Sequence, residues 1–426
     1  MTVILIVLML LLTAEENLIA KTGLSFLGYL DELIIIMFLL LAIINFIKTN
    51  KIKRFNLKLS LMTISFIIIG TLSCYINSNC IFKNTLMSCF LSVKFWILLL
   101  SISSFDINES TIKKYYKALF VLEKIVLIFA LINLFSLGLY KSIFPVSHTN
   151  YRFGIISVCS IFNHPGKYGW FMFFCALAHF SIYKNDNNKK ELTRTIISII
   201  ACLFSLRTKV IMSIFICFVC YALYINRETL QKQLKKIIAI AILGTCLLIP
   251  FKDIIQKTYT LYFTDAEGYS VRQALMDNSI KIVKDYFPIG VGFGKYGTWY
   301  AAQNYSEYYY KYNMNRMYGL TEDNTTYGTD TFWPAIFGET GLVGSIIYIG
   351  MIILILKKLK KINSDISEYN SAISIFAIMS LVQIIIESFG SSSFNAPPDY
   401  YFVATTIGLA IARYDSMKKG KIKWKN

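Results

Sequence analysis

The sequence predicts an all-α, polytopic integral membrane protein, and three observations carry this prediction. The 426 residues are 55% hydrophobic and only 16% charged, with a mean hydropathy of +0.54. Apolar runs about as long as a bilayer is thick recur along the chain. The 43 Lys and Arg residues give a formal net charge of +18, but they stand in short clusters between the apolar runs. That distribution follows the positive-inside rule and argues against nucleic acid as a partner.

The apolar runs predict one transmembrane domain over residues 1–426, with about twelve helices. They lie near residues 1–20, 27–47, 57–76, 85–105, 117–139, 155–183, 192–206, 209–226, 236–254, 332–356, 370–389 and 397–413. The first contains Glu15 and Glu16, and we expect it to stay in the mature protein because it lacks a basic n-region and a cleavage site. The seventh and eighth are short and are separated by a tight polar turn.

The basic clusters predict the orientation. They occupy alternate loops and the C-terminal tail, at Lys48–Lys58, Lys113–Lys117, Lys184–Arg194, Arg227–Lys236, Lys357–Lys361 and Arg413–Lys425. The positive-inside rule then places both termini in the cytoplasm of a plasma (inner) membrane and the loop over residues 255–331 outside. Helical periodicity from Val271 to Tyr286 predicts an amphipathic helix in this loop, which lies on the membrane face.

The nine Cys residues predict packing instead of a disulfide framework, since most lie inside apolar runs. Cys217 and Cys220 form a CxxC on a wholly apolar helix, where core packing is the expected role. A disulfide between Cys74 and Cys80, which flank one predicted outer turn, stays an alternative to two free thiols.

Positively charged residues near the outer ends of spans are candidate anion ligands. Arg207 lies in the turn Ser205–Lys209, where it either reaches lipid head groups or lines an anion site below the outer surface. Arg152 precedes the segment Asn163-His164-Pro165-Gly166, which should break or bend its helix. His164 is then either a buried kink residue or part of a cavity, because broken backbone at membrane depth needs a cavity or protein around it.

The external loop and the start of the tenth span carry further candidates. Arg272 lies on the amphipathic helix, and the glycines of Pro288–Gly294 either form a tight turn or let the backbone approach a ligand. Asp330 and Thr331 are candidate helix N-caps, and Glu339 follows them. An aromatic stretch is either an interfacial belt or a stacking platform for sugar rings, with members Trp299, Tyr300, Tyr305, Tyr308, Tyr309, Tyr310, Tyr312 and Tyr318. Lys94, Glu123, Lys124 and Glu387 lie within other spans and are expected to pair structurally.

Taken in order, these motifs resemble the O-antigen polymerase and O-antigen ligase superfamily, the Wzy-type and ligase-type membrane glycosyltransferases. The resemblance extends over about residues 100–360, on loose motifs in a shared order. The matching blocks are Arg152–Gly166, Ser205–Thr208, Arg272 with Pro288–Gly294, and Asp330 with Glu339-x-Gly341.

The resemblance implies a membrane-embedded glycosyltransferase of the GT-C type whose external loop forms part of the active site. The donor would be a polyprenyl-diphosphate-linked oligosaccharide, and neither a metal nor another cofactor would be needed. Arg152, Arg207 and Arg272 would bind the diphosphate, since a guanidinium binds phosphate oxygens bidentately. Asp330 would be the catalytic base, with His164 and Glu339 in reserve. Glycan-binding residues would be Gly290, Gly292, Trp299 and Tyr300. Membrane lipids and other polysaccharide assembly proteins complete the expected partners.

One departure bears on which reaction is expected. Ligases that resemble this chain carry a His where Asp330 and Thr331 stand, which favours a polymerase that joins repeat units of O-antigen, capsule or exopolysaccharide. A ligase stays an alternative. So does a lipid-linked oligosaccharide flippase, although the polar motifs gather on one face and do not form a path through the bilayer.

The predicted topology can be measured with reporter fusions. Fusions at Lys189 and Lys358 should report the cytoplasm, and a fusion at Asn304 should report the outside, because the basic clusters flank the first two positions. Reporters active in one compartment only, such as alkaline phosphatase and green fluorescent protein, distinguish the two sides. Opposite signals at all three positions would overturn the orientation.

Overall fold

The computed structural model describes residues 2–50, 52–77, 79–152, 154–225, 270–365 and 369–423. Over these ranges the chain is helical, apart from a short antiparallel hairpin of Tyr151–Arg152 (β1) and Ile155–Ile156 (β2) and the connecting segments. The helices are α1 (Thr2–Thr22), α2 (Leu30–Thr49), α3 (Arg54–Asn77), α4 (Phe82–Ser104), α5 (Glu109–Phe135), α6 (Leu137–Ile143), α7 (Pro165–Asp186), α8 (Lys189–Leu203), α9 (Thr208–Cys220), α10 (Val271–Asp285), α11 (Trp299–Gln303), α12 (Glu307–Lys311), α13 (Trp333–Asp365), α14 (Tyr369–Glu387) and α15 (Asp399–Lys423). The all-α prediction is confirmed for the described residues.

Several helices are built to cross a membrane. In the described part of the chain, five are long and apolar enough, at Ser25–Thr49, Arg54–Asn77, Phe82–Ser104, Glu109–Phe135 and Trp333–Asp365. Two shorter apolar helices coincide with the predicted eighth and eleventh spans. The chain is therefore a multi-pass membrane protein. The count of twelve stays a prediction, and the ninth predicted span, residues 236–254, lies outside the described residues.

The sixth predicted span begins later than its apolar run. Residues 155–164 hold β2 and an irregular segment, and α7 begins at Pro165. His164 is its N-cap, because Nδ1 accepts a hydrogen bond from the Gly166 N–H at 3.0 Å. Proline suits the first helical position since it has no N–H to satisfy there. The predicted helix break is confirmed, and a helix starting at residue 155 is corrected.

Inside the bundle, Lys94 and Glu123 have side-chain partners, as predicted. The Lys94 ammonium lies 2.8 Å from a carboxylate oxygen of Asp31, which also accepts the Tyr400 hydroxyl. Glu123 lies 2.8 Å from Nε2 of His179, between α5 and α7. Removing one partner of such a buried pair would cost about 3–5 kcal/mol, because it leaves a buried group uncompensated.

The loop predicted to be external is described over residues 270–331, here named the external unit, and this unit has a small hydrophobic core of its own. The helix α10 confirms the amphipathic helix predicted from Val271 to Tyr286. Its fully buried Leu275 and Ile282 pack with residues from the following segments, namely Val291, Tyr296, Ala301, Tyr308, Tyr309, Met314 and Leu320. The tyrosine-rich stretch therefore contributes packing as well as surface. The described loop is a folded unit.

The segment Pro288–Gly294 docks this unit onto the bundle by a close backbone approach. The Val291 and Gly292 N–H groups donate to carbonyls in α13 at 3.0 and 2.8 Å. On the other side, the Gly290 carbonyl accepts from Ser73 and Asn77 of α3. A Cβ on Gly290 would stand 2.4 Å from the Gly338 carbonyl oxygen, so only glycine fits this contact.

Gly292→Ala should destabilise the protein for the same reason. Its added Cβ would lie 2.2 Å from Cα of Cys74, at a φ of +94° that alanine rarely adopts. We expect a loss of about 1–3 kcal/mol, seen as a lower Tm in detergent. Gly138→Ala is the matched control, because nothing lies within 4 Å of its added methyl group. An equal Tm for both variants would contradict this account of the docking.

Candidate active site

The turn between α8 and α9 gathers the first group of predicted site residues. Arg152 donates from Nη1 to the Leu206 carbonyl at 3.1 Å, so β1 is tied to the turn that carries Arg207. Leu206 has a φ of +53°, an uncommon value for a non-glycine residue that marks a strained turn. Buried Ser205 packs against α7 where Gly169 leaves room, since a Cβ there would stand 2.5 Å from its hydroxyl oxygen. Arg152 and Arg207 are thus brought to one place.

Further positive charge surrounds this turn. The ring of His164 lies within electrostatic range of Arg207, Lys209 and Lys167. Lys167, in the first turn of α7, pairs with Glu16 of α1 at 3.3 Å. The beginnings of α7 and α9 therefore present cations to a common region. Such a region attracts an anion, since charge interactions strengthen where water is scarce.

His164 is better suited to donate a hydrogen bond than to act as a base. Its Nδ1 accepts the Gly166 N–H, which assigns the ring proton of the neutral imidazole to Nε2. The neighbouring Arg207 and Lys209 oppose a positive charge on the ring. A neutral histidine that can donate from Nε2 suits an anionic ligand, so the geometry favours binding over proton abstraction for this predicted reserve base.

Arg272 and Asp330 meet at the junction of the external unit and α13. Arg272 Nη2 lies 2.9 Å from an Asp330 carboxylate oxygen, and both side chains are partly exposed. The helix α13 begins at Trp333, so the capping roles considered for Asp330 and Thr331 are corrected. The Thr331 hydroxyl is buried and has no hydrogen-bond partner in the described structure.

The turn between α14 and α15 borders both groups. The Phe332 N–H donates to the Ser388 carbonyl at 3.1 Å, and the Ser392 hydroxyl donates to the Thr329 carbonyl, which fixes the segment carrying Asp330. On its other side, Ser391 accepts from Lys209. Lys209 of α9 and the Arg272–Asp330 pair thus flank the same turn.

Glu339 is occupied within the protein. One of its carboxylate oxygens accepts from the Lys295 and Tyr296 N–H groups and from the Thr298 hydroxyl, at 2.9, 3.1 and 2.9 Å. Its side chain is buried. This geometry favours a role in holding the external unit over a role as reserve base. The glycines Gly290 and Gly292 likewise pack against protein backbone, which favours the tight-turn interpretation over direct glycan contact.

Two aromatic residues that follow this segment remain on the surface. Trp299 is 52% exposed and packs edge-to-face with half-buried Tyr300. Farther along, a hydrogen bond to the Glu322 carboxylate raises the pKa of Tyr310 to about 12, so its phenol stays protonated at neutral pH. Exposed aromatic rings such as Trp299 suit a sugar, whose apolar face can stack on them.

Two cavities lie between the external unit and the segments around the end of α3 and the start of α4, and no arginine of the described chain lines either of them. A groove of about 420 Å³ is lined by Ile76, Asn77, Asn79, Tyr286, Glu307, Tyr308 and Lys311. A smaller one of about 180 Å³ reaches Gly294. Among the described residues, no cluster of His, Cys, Asp and Glu is arranged to hold a metal ion. The expected independence from metals stays a prediction.

Comparison with known families bears directly on this arrangement. Residues 194–349 match the family model of O-antigen ligase. The match confirms the resemblance to the O-antigen ligase and polymerase superfamily. It includes Arg207, Arg272, Asp330 and Glu339, while Arg152 and His164 precede it. Over this segment the chain is similar to a family whose members are membrane enzymes that transfer glycosyl units. No curated protein sequence matches the chain significantly.

Sequence reasoning missed one residue of the cationic turn. Lys209 was assigned no role, although it stands two positions after Arg207 and its ammonium lies 3.4 Å from Glu387. Two signals were available. One is the alternation of two cations around Thr208, and the other is the Gly-Ser-rich segment 390–393 directly after the carboxylate-bearing α14.

The variant Asp330→Asn tests whether Asp330 acts as the base or only pairs with Arg272. Because the Arg272–Asp330 pair is exposed, its loss should change stability by only about 0–1 kcal/mol. If Asp330 is the base, turnover should fall by roughly 10²-fold or more at an unchanged Tm. Asp323→Asn, the same change at an exposed position of the same loop, is the control. Near-normal turnover by Asp330→Asn would show that Asp330 is not the base.

Proposed function

We propose that this protein is a polysaccharide polymerase. It joins polyprenyl-diphosphate-linked oligosaccharide repeat units at the outer face of the plasma membrane, to build O-antigen, capsule or exopolysaccharide. The observation that carries the proposal is the cationic turn Ser205–Lys209, anchored by Arg152, within a segment that matches the O-antigen ligase family.

The cations suit the donor. Glycosyl transfer breaks the bond between the sugar and the diphosphate, so negative charge develops on the leaving oxygen. In this proposal Arg152 and Arg207 stabilise that charge from the bundle, and Arg272 does so from the external unit. A guanidinium keeps its charge and offers paired N–H donors, which match phosphate oxygens. Polyprenyl diphosphate is a good leaving group, so the donor needs neither a metal ion nor an acid to depart.

The proposed site also contains residues that can bind and activate the acceptor sugar. Its sugar hydroxyl must lose a proton as it attacks, and Asp330 is the carboxylate proposed to take it. Trp299 and Tyr300 are proposed to stack on the sugar rings. The lipid tail would lie along apolar helices of the bundle, for which we propose about twelve spans of the GT-C type with both termini cytoplasmic.

Two other reactions are compatible with the same family. A ligase would transfer a finished glycan once to a different acceptor, and the description of the matched family favours that candidate. Asp330 in place of the ligase-type His favours the polymerase. A flippase would move the lipid-linked unit without joining it to another.

The reaction product distinguishes these functions. Purified protein given a lipid-linked repeat unit should yield a ladder of lengths on a gel. Arg207→Lys should lose most of this activity, because lysine keeps the charge but not the paired donors. Arg194→Lys, the same change on an exposed residue of α8, should polymerise normally.

Each alternative has its own result in that assay. A single transfer to a separate acceptor, with no ladder, would favour the ligase. Movement of the unit across a vesicle membrane with no new glycosidic bond would favour the flippase. A full ladder from Arg207→Lys would remove Arg207 from the proposed donor site.

A further inference from the structure

Lys209 stands at a position where a cation is unfavourable unless an anion is near. It is the second residue of α9, at the positive end of the helix dipole. Its neighbours Arg207 and His164 add no negative charge. A lysine that follows an arginine in this place therefore calls for negative charge nearby, from the protein or from a ligand.

The side chain of Lys209 is held in one direction. Its stem runs between two glycines, one at the start of α7 and one in the turn after α14. A Cβ on Gly166 would lie 3.3 Å from the Lys209 Cε, and a Cβ on Gly390 would lie 3.5 Å from its Cδ. Larger residues at Gly166 and Gly390 would press against the methylene groups of Lys209. The two glycines therefore leave the space that this side chain occupies.

The ammonium is only partly satisfied by the protein. It donates to the Ser391 hydroxyl at 3.0 Å and lies 3.4 Å from a carboxylate oxygen of Glu387. An ammonium has three N–H donors, and within the described chain these are the two polar partners it contacts. Its side chain is 26% exposed, whereas that of Glu387 is fully buried. One side of the ion pair is therefore open to a ligand.

Glu387 is fixed more tightly than the lysine it faces. Its second carboxylate oxygen accepts from the Ser213 hydroxyl at 3.0 Å. The distance to Lys209 exceeds the 2.7–2.9 Å typical of a strong charge-assisted bond. Glu387 thus orients Lys209 without drawing it into the protein.

We propose that the Lys209 ammonium binds the diphosphate of the lipid-linked donor beside Arg207, and that Glu387 and Ser391 are positioning residues that hold it there. This inference rests on the proposed function, because it assigns a fourth cation to the same donor site. The ammonium of lysine is a compact charge, whereas the guanidinium of arginine offers paired N–H donors. In this proposal the two residue types bind different oxygens of the diphosphate.

Binding of farnesyl diphosphate tests the inference without any glycan. The protein is placed in nanodiscs of zwitterionic lipid, and affinity is measured for farnesyl diphosphate and for inorganic diphosphate. Lys209→Met should weaken the binding of farnesyl diphosphate by roughly 10- to 100-fold, since a hydrogen bond to a charged group is lost. Lys209→Arg should bind more tightly than Lys209→Met, because charge is retained.

The double variant Lys209→Met/Glu387→Gln separates binding from ion pairing. It removes both charges, so it relieves the unpaired carboxylate that Lys209→Met alone would leave in the bundle. We expect the double variant to fold, judged by a single symmetric peak in size exclusion, and to bind as weakly as Lys209→Met. Lys358→Met is the matched control, since it breaks the Lys358–Asp415 pair elsewhere and should bind normally.

Three outcomes are decisive. Normal affinity in the double variant, or in Lys209→Met, would reduce Lys209 to the counter-ion of Glu387 and overturn the inference alone. Failure of the wild-type protein to bind farnesyl diphosphate would overturn the proposed donor chemistry as well. Equal affinity for inorganic diphosphate and farnesyl diphosphate would support the cation site while showing that the lipid tail adds nothing to binding.

Discussion

The backbone contact between the Pro288–Gly294 segment and α13 determines where the external unit stands on the bundle. Carbonyls of Gly338 and Glu339 accept N–H groups of this segment, and the Glu339 side chain then accepts three donors from residues 295–298. A buried carboxylate with several hydrogen bonds is costly to leave unpaired, so these contacts form together. Trp299 follows directly, and its exposed position results from this docking.

The same principle explains the turn between α8 and α9. The backbone between the short helices α8 and α9 is irregular. Where such backbone lies at membrane depth, the protein itself must form hydrogen bonds with its N–H and C=O groups. The Leu206 carbonyl is satisfied by Arg152, and the Phe204 carbonyl accepts the Val158 N–H at 3.0 Å. The segment before α7 is therefore a structural partner of the turn, and it brings His164 and Lys167 with it. Arg152 satisfies a backbone carbonyl of the turn and is itself a cation. The hydrogen bonding of this turn therefore also brings positive charge to the site.

Local chemistry determined which features could be predicted from sequence. The break before Pro165, the amphipathic α10 and the short helices around Arg207 follow from proline, from periodicity and from length, and the structure has all three. The roles of Glu339 and Lys209 could not be predicted in this way. Their partners lie far away in sequence, at Lys295–Thr298 and at Glu387, and only the fold brings them together. Asp330 was considered as a cap because α13 was expected to start next to it, whereas the helix starts at Trp333.

The Arg272–Asp330 pair links the two halves of the proposed reaction. A guanidinium has five N–H donors, and the contact to Asp330 is made by Nη2. The remaining donors point away from that bond in the fixed plane of the group, so one arginine can contact a carboxylate and a phosphate together. In the proposed function the base and the leaving diphosphate would then both lie next to Arg272. The pair is exposed and contributes little to stability. In the proposed function, its place at the end of the external unit, next to the turn that carries Ser391, holds the base and a diphosphate-binding cation beside each other.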